Sequence, residues 1–166
     1  GLAPAAYRIS VARMPGGVYV KTIRQGSADL TAVARLDLRG GAAPLELVFA
    51  SGAGDVTGTA SGAGAGLESL AITLAPTGPL AGRSDLTVTV DAEDPAGGFR
   101  ILGIAPGAYR VFAWEMADTT LAESQEFRAL LESRASPVEI RPGETAVVNP
   151  TLISADEVAE ARKRLR

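Results

Sequence analysis

Gly98-Phe99-Arg100-Ile101-Leu102-Gly103-Ile104-Ala105-Pro106-Gly107-Ala108-Tyr109-Arg110-Val111 reads as two strands joined by a tight turn. Period-two alternation sets Phe99, Ile101 and Gly103 on one face of the first strand, with Ile104 at its end. Pro106-Gly107 makes the turn. Proline presets its own φ, and glycine takes the positive φ that a type II turn needs at its second central position. In the second strand Tyr109, Val111 and Ala113 point inward, and a tyrosine so placed finds a backbone acceptor for its hydroxyl.

Part of this stretch occurs twice. Ala3-Pro4-Ala5-Ala6-Tyr7-Arg8 matches Ala105-Pro106-Gly107-Ala108-Tyr109-Arg110, and Met14 matches Met116, at an offset of 102 residues (Tyr7 to Tyr109). In the same register Leu36-Asp37-Leu38-Arg39-Gly40-Gly41 falls on Val138-Glu139-Ile140-Arg141-Pro142-Gly143. Two separate matches in one gapless register mark a duplication, and a period of about 100 residues is the size of a β-sandwich domain. The first copy has Ala5 in place of Gly107, so its turn is expected to differ.

The second copy carries a full set of strands, at 55–60, 67–75, 86–91, 98–104, 108–116, 137–140 and 145–153. Gly- and Pro-rich turns separate them, Gly62 to Gly66 and Pro142-Gly143 among them. The first copy holds only the later strands, at 7–14, 18–25, 34–38 and 45–50. Residues 126–132 predict a helix with Phe127, Leu130 and Leu131 on one face. Ser154-Ala155-Asp156-Glu157 fits a capping box opening a last helix, whose apolar stripe is Val158, Ala161 and Leu165. The expected fold is therefore all-β: an Ig-like or prealbumin-like antiparallel sandwich of about seven strands, preceded by a half-repeat, with two short helices near the C-terminus. Residues 1–51 form the half-repeat, 52–154 the complete repeat and 155–166 the last helix. Half a sandwich leaves an apolar face and several edges uncovered. Residues 1–50 are thus expected to pack on the second copy or to exchange strands with another chain.

Composition narrows the chemistry. Apolar residues make up 46% of the chain but aromatics only 5%, so the core is built from Ala, Val and Leu. The absence of His and Cys rules out His-based acyl-transfer triads, zinc-hydrolase signatures, thiol chemistry and disulfides within this chain. The net charge is −3, and no basic run interleaves with aromatics, so nucleic acid is not an expected partner. No apolar run reaches the roughly 20 residues of a membrane span, and the start lacks a signal-peptide pattern. The chain opens at Gly1 rather than Met, as a mature form or an excised fragment would. No cofactor and no catalytic residue is expected.

The stretch 98–111 resembles the paired-strand signature of carboxypeptidase regulatory-like domains, relatives of the Cna B-type and transthyretin-like sandwiches. Phe99, Gly103, Pro106, Gly107 and Tyr109 carry the motif. Asp55-Val56-Thr57-Gly58-Thr59 is similar to the family's opening strand, with Asp55 replacing its usual small residue. The resemblance covers about residues 50–153 and, in truncated form, 3–50. It implies a carbohydrate-binding-like fold of a kind found as tandem modules in exported bacterial proteins. The implied role is non-catalytic: adhesion, spacing or ligand display, in a secreted, periplasmic or cell-surface setting. The implied partners are neighbouring repeats of the same protein, a strand-exchanged second copy, or a glycan or protein ligand.

Arg110, Phe112 and Trp114, with Met116, lie on the strand face opposite Tyr109 and form the candidate ligand-binding site. A tryptophan plane beside an arginine suits sugar or peptide stacking, the basis of the alternative reading as a carbohydrate-binding module with an exposed aromatic face. The competing reading is that the Phe127 helix or the half-repeat covers this face. Asp91-Ala92-Glu93-Asp94-Pro95-Ala96-Gly97 misses the calcium-loop spacing and is expected to be a solvated acidic hairpin turn. Asp85, Asp91, Glu93 and Asp94 show no glycosidase arrangement. Gly52 to Gly54 and Gly62 to Gly66 precede no GK[ST] motif, and read as a linker and a hairpin connection. Asn149, the sole asparagine, sits where a Cna B-type isopeptide acceptor could lie. Thr57 and Thr59 stand where that cross-link needs lysine, so none is expected.

Overall fold

Alternating small and branched residues build thirteen strands among the described residues of the computed structural model, which are 2–11, 14–39, 43–64, 69–115 and 118–165. In chain order they are β1 (Ala6–Arg8), β2 (Val18–Gln25), β3 (Ala28–Asp29), β4 (Arg35–Asp37), β5 (Leu45–Ser51), β6 (Gly54–Thr59) and β7 (Ala71–Pro76). There follow β8 (Val88–Asp91), β9 (Gly98–Ile104), β10 (Gly107–Trp114), β11 (Ser136–Ile140), β12 (Thr145–Val147) and β13 (Leu152–Ile153). Three short helices accompany them: α1 (Thr119–Glu123), α2 (Gln125–Leu130) and α3 (Ala155–Lys163), where two were expected. The extra one is α1, which Asp118 caps by accepting from the Leu121 N–H at 3.3 Å. Met116 and residues 65–68 lie outside the described residues.

The later strands make two facing sheets, ordered β11-β10-β7-β8 and β12-β6-β9. Val56, Phe99 and Ile101 from the second sheet meet Ile72, Leu74, Tyr109 and Val111 from the first. This is the sandwich core, formed by every second residue of each strand. Every residue of β7 is buried, because helices cover the outer face of its sheet as well. The architecture is thus sandwich-like with a third, helical layer.

Two pairings are parallel, β12 on β6 and β13 on β10, where an antiparallel sandwich was expected throughout. The run 145–153, read as one strand, is interrupted at Pro150, which has no N–H for a ladder. Its first part joins one sheet and its last part the other. The acidic turn also differs from expectation. Asp94 Oδ1 accepts from the Gly98 N–H at 3.1 Å, and the chain passes there from β8 in one sheet to β9 in the other.

The expected linker at Gly52 to Gly54 is a tied junction. The Gly17 carbonyl accepts from the N–H groups of Gly52 (2.8 Å) and Ala53 (3.0 Å), while the Gly52 carbonyl accepts from Gly143 at 2.9 Å. Gly52 adopts φ +93°, which favours glycine. A Cβ on Gly54 would lie 2.7 Å from the Ile140 side chain, so this segment packs tightly.

Residues 6–51 form two small sheets, β1-β4 and β3-β2-β5, around Val20, Ile23 and Ala34. The duplication is visible in their pairing. Tyr7 faces Leu36 as Tyr109 faces Val138, and the flanking pairs Ala6 with Asp37 and Ala108 with Glu139 keep the same 102-residue offset. Each tyrosine hydroxyl donates to the carbonyl four residues earlier, Tyr7 to Ala3 at 2.9 Å and Tyr109 to Ala105 at 2.8 Å. The bond is the same but its setting is not. Tyr109 is buried, whereas the Tyr7 bond is exposed to water. Tyr109→Phe is therefore expected to cost about 1–2 kcal/mol in urea unfolding, because the Ala105 carbonyl loses its partner in the core. Tyr7→Phe, where water replaces the hydroxyl, is expected to cost under about 0.5 kcal/mol. Equal costs would refute the distinction.

Candidate functional site

β10 presents Arg110, Phe112 and Trp114 on the face opposite Tyr109, as alternation requires. Phe112 and Trp114 stack in parallel, ring centroids 5.0 Å apart with planes 5° from parallel. Over them lies α2, capped by the Ser124 hydroxyl accepting from the Phe127 N–H at 3.3 Å. The Phe127 ring stands 5.6 Å from Trp114, and Ala122 of α1 with Val158 and Ala161 of α3 close the layer. Trp114 is 0% exposed and Phe112 3%.

The aromatic plane that the alternative reading offers to a sugar is therefore covered by helix, as the competing reading has it, and the exposed-face reading of Phe112 and Trp114 is corrected. The physical reason is area: a wide apolar face is sealed by the apolar stripe that the same chain carries a few residues on. The Trp114 indole N–H donates to Thr73 Oγ1 at 3.0 Å, and that hydroxyl in turn pairs with Thr89 Oγ1 at 3.0 Å. Its polar handle is thereby committed to the sheet below.

Arg110 is the member of the set that reaches solvent, with its Nε 3.4 Å from Glu132 Oε1. It lines a shallow cleft of about 260 Å³ with Phe112, Gln125, Arg128 and Glu132. Arg128 donates to the Ala122 carbonyl at 2.9 Å, and burial pulls its pKa down from the ordinary arginine value. Leu130, expected on the buried face of α2, is exposed, and Arg128 takes that place. A helix of six residues sets its buried face by where it docks.

α3 is pinned by its expected capping box, with Ser154 and Glu157 bonded in both directions. The Glu157 carboxylate also accepts from Arg134 Nη2 at 3.3 Å. Its pKa is lowered, first by the Ser154 backbone N–H at 3.0 Å and then by the Ser154 hydroxyl and Arg134. A lowered folded-state pKa means stabilisation present above the unfolded glutamate value and lost as pH falls through the folded one. Acidification from neutral is thus expected to fray α3, seen as lower amide protection, relative to the intrinsic exchange rate at each pH, over 155–163. Glu157→Gln should weaken that pH dependence, the remainder coming from Glu160, whose pKa Lys163 also lowers. Ser154→Ala should cost about 1 kcal/mol at neutral pH. Acid fraying undiminished in Glu157→Gln would exclude this cause.

The motif residues have structural duties. Gly103 adopts φ +72° and its N–H donates to Asp55 Oδ1 at 3.0 Å, so the acid that departs from the resembled family's strand holds the neighbouring strand. The expected type II turn is not what forms: Ala105 and Pro106 carry the chain from β9 in one sheet to β10 in the other, and Gly107, at φ +151°, already belongs to β10 and pairs with Ile140. Asn149 Oδ1 accepts from the Thr59 N–H at 3.0 Å.

Arg83 escaped sequence reading. It is 1% exposed, pairs with Asp85 through Nε (2.8 Å) and Nη2 (2.7 Å), and donates from Nη1 to the Thr31 carbonyl at 3.1 Å. The local Arg83-Ser84-Asp85 spacing permits the pair, but Thr31 lies far away in sequence. Among the described residues no three acidic side chains are grouped to hold a metal ion, and no helix is long and apolar enough to cross a membrane. No protein-family model matches the chain, and no curated protein matches it either.

Proposed function

We propose that the chain is a non-catalytic β-sandwich module of the Ig-like or prealbumin-like kind, serving adhesion, spacing or ligand display in a larger exported protein. The observation that carries this reading is the duplication in one register, down to the same tyrosine-to-carbonyl bond in both copies. Repetition of a structural unit suits a protein that builds length or surface. The engagement of buried polar groups in structure also supports it. Arg83 and Asp85 tie two segments, Thr73 and Thr89 anchor Trp114, and half-buried Asp55 bonds a backbone N–H group. Neighbouring repeats of the same protein are the proposed partners, and an exported location follows from the resemblance of residues 98–111.

A broad panel of hydrolase and transferase substrates tests the reading. The expected result is no turnover. Saturable turnover that disappears when a single carboxylate is replaced, with the fold retained, would overturn it.

A further inference from the structure

We propose that the cleft between β10 and α2 binds a small free carboxylic acid with an apolar body, its carboxylate held by the Arg128 guanidinium. This rests on the ligand-display part of the reading above and names the ligand's class. Among the described residues two arginines are buried, Arg83 and Arg128, and the chain treats them differently. Arg83 is matched by Asp85 at 2.7 Å. Arg128, 9% exposed, makes one hydrogen bond, from Nη1 to the Ala122 carbonyl, and no ion pair among the described residues. Glu123 is near enough to favour its charge but does not bond it. Its Nε and Nη2 keep access to solvent, and the side chain lines the cleft, so these N–H groups open into it. A buried charge without an opposite one is costly, so an anion arriving there meets a need that the chain leaves open.

The rest of the lining sets the ligand's shape and charge. Phe112, Ala75 and Ala129 make the surface apolar, and the two alanines leave the room. Arg110 also lines the cleft, but Glu132 Oε1 stands 3.4 Å from its Nε, so that pair is balanced and one positive charge is left over. A monoanion suits one charge, and a hydrocarbon body suits the apolar surface. Phosphate, more highly charged and without an apolar part, suits neither. The volume of about 260 Å³ falls below the roughly 300–1,000 Å³ of drug-sized sites, so the ligand is small.

The cleft belongs to the complete copy. At the repeat offset Phe112, Arg128 and Glu132 fall on Ser10, Gly26 and Leu30, so the first copy lacks the residues that make it. A surface on which neighbouring repeats stack would recur in each copy. No residue of 6–51 lines the cleft, and that half-repeat is seated elsewhere, through Thr31 on Arg83 and Gly17 on Gly52. These points favour a free ligand over a segment of the same protein.

The probe is sodium benzoate, titrated at constant ionic strength into the full isotope-labelled chain while the Arg128 Nε–H and Ala129 amide signals are followed. Expected is a saturable shift of both, with a midpoint of about 1 mM or below. Benzamide has the same shape without the charge, and inorganic phosphate has the charge without the ring. Each should bind at least about tenfold more weakly. Arg128→Leu exchanges the charge for an apolar side chain, so it should keep the melting temperature and abolish binding. Ala129→Leu, which fills the cleft and touches no charge, should abolish it too. Glu132→Gln frees Arg110 and should tighten binding about threefold. Benzoate binding that survives Arg128→Leu, is matched by benzamide or phosphate, or weakens in Glu132→Gln would overturn the proposal. So would the absence of a saturable shift at about 20 mM. An N-acetylated peptide ending in phenylalanine that binds about tenfold tighter than benzoate would give the cleft to a polypeptide terminus and overturn the free-acid assignment. Each of these failures leaves the module reading standing, whereas turnover in the substrate panel would sink that reading and leave the cleft untouched.

Discussion

Trp114→Ala is expected to lower the unfolding free energy by about 3–5 kcal/mol, the range for removing a large aromatic from a packed core. Three losses coincide at this site. The indole leaves its stack with Phe112 and its tilted contact with Phe127, which together join β10 to α2. The Thr73 hydroxyl, 0% exposed, loses its donor. The hole lies under three helices whose own packing depends on it, so collapse around it is limited. Urea unfolding gives the number, and near-ultraviolet circular dichroism reports the loss of aromatic order. A cost below about 1 kcal/mol would mean that the helices do not seat on Trp114. For a marginally stable domain the expected loss is a large share of the whole.

Arg83→Ala should cost about 3–5 kcal/mol as well, for a different reason. It leaves the Asp85 carboxylate, whose side chain is 10% exposed, without its cation, and the Thr31 carbonyl without a donor. A charge stranded in the interior is far costlier than a lost surface pair. The double variant Arg83→Leu with Asp85→Leu should recover most of the loss, because it removes both charges together. The effect should also be local. Thr31 belongs to the segment between β3 and β4, and a Cβ on Gly82 would lie 2.7 Å from the Ala32 carbonyl, so this is where residues 6–51 lean on the sandwich. Amide exchange over β2 and β5 should rise in Arg83→Ala before that over β7 and β10. Uniform acceleration would show that the pair stabilises the sandwich alone.

Much of the framework was readable in the residues. β2 and β9 run over the stretches that alternation predicts, and the Ser154 capping box opens α3. These are local matters of backbone preference and side-chain period, which a few neighbouring residues settle. The repeat offset was readable for a related reason, since equal residues in equal order take equal pairing. The split of 145–153 was half-readable: Pro150 marks a break, but not that the two parts join different sheets.

The candidate site shows the limit most clearly. Alternation places Phe112 and Trp114 on the face away from Tyr109, and that much the sequence determined by itself. Whether that face meets water depended on α2 and α3, whose residues Phe127 and Val158 stand 13 and 44 positions after Trp114. Likewise nothing near Arg83 announces Thr31, 52 residues earlier. Turns, caps and strand faces are thus properties of the chain read a few residues at a time. Cover, burial and the partner of a buried charge come from contacts between residues distant along it, so only the tertiary structure decided them.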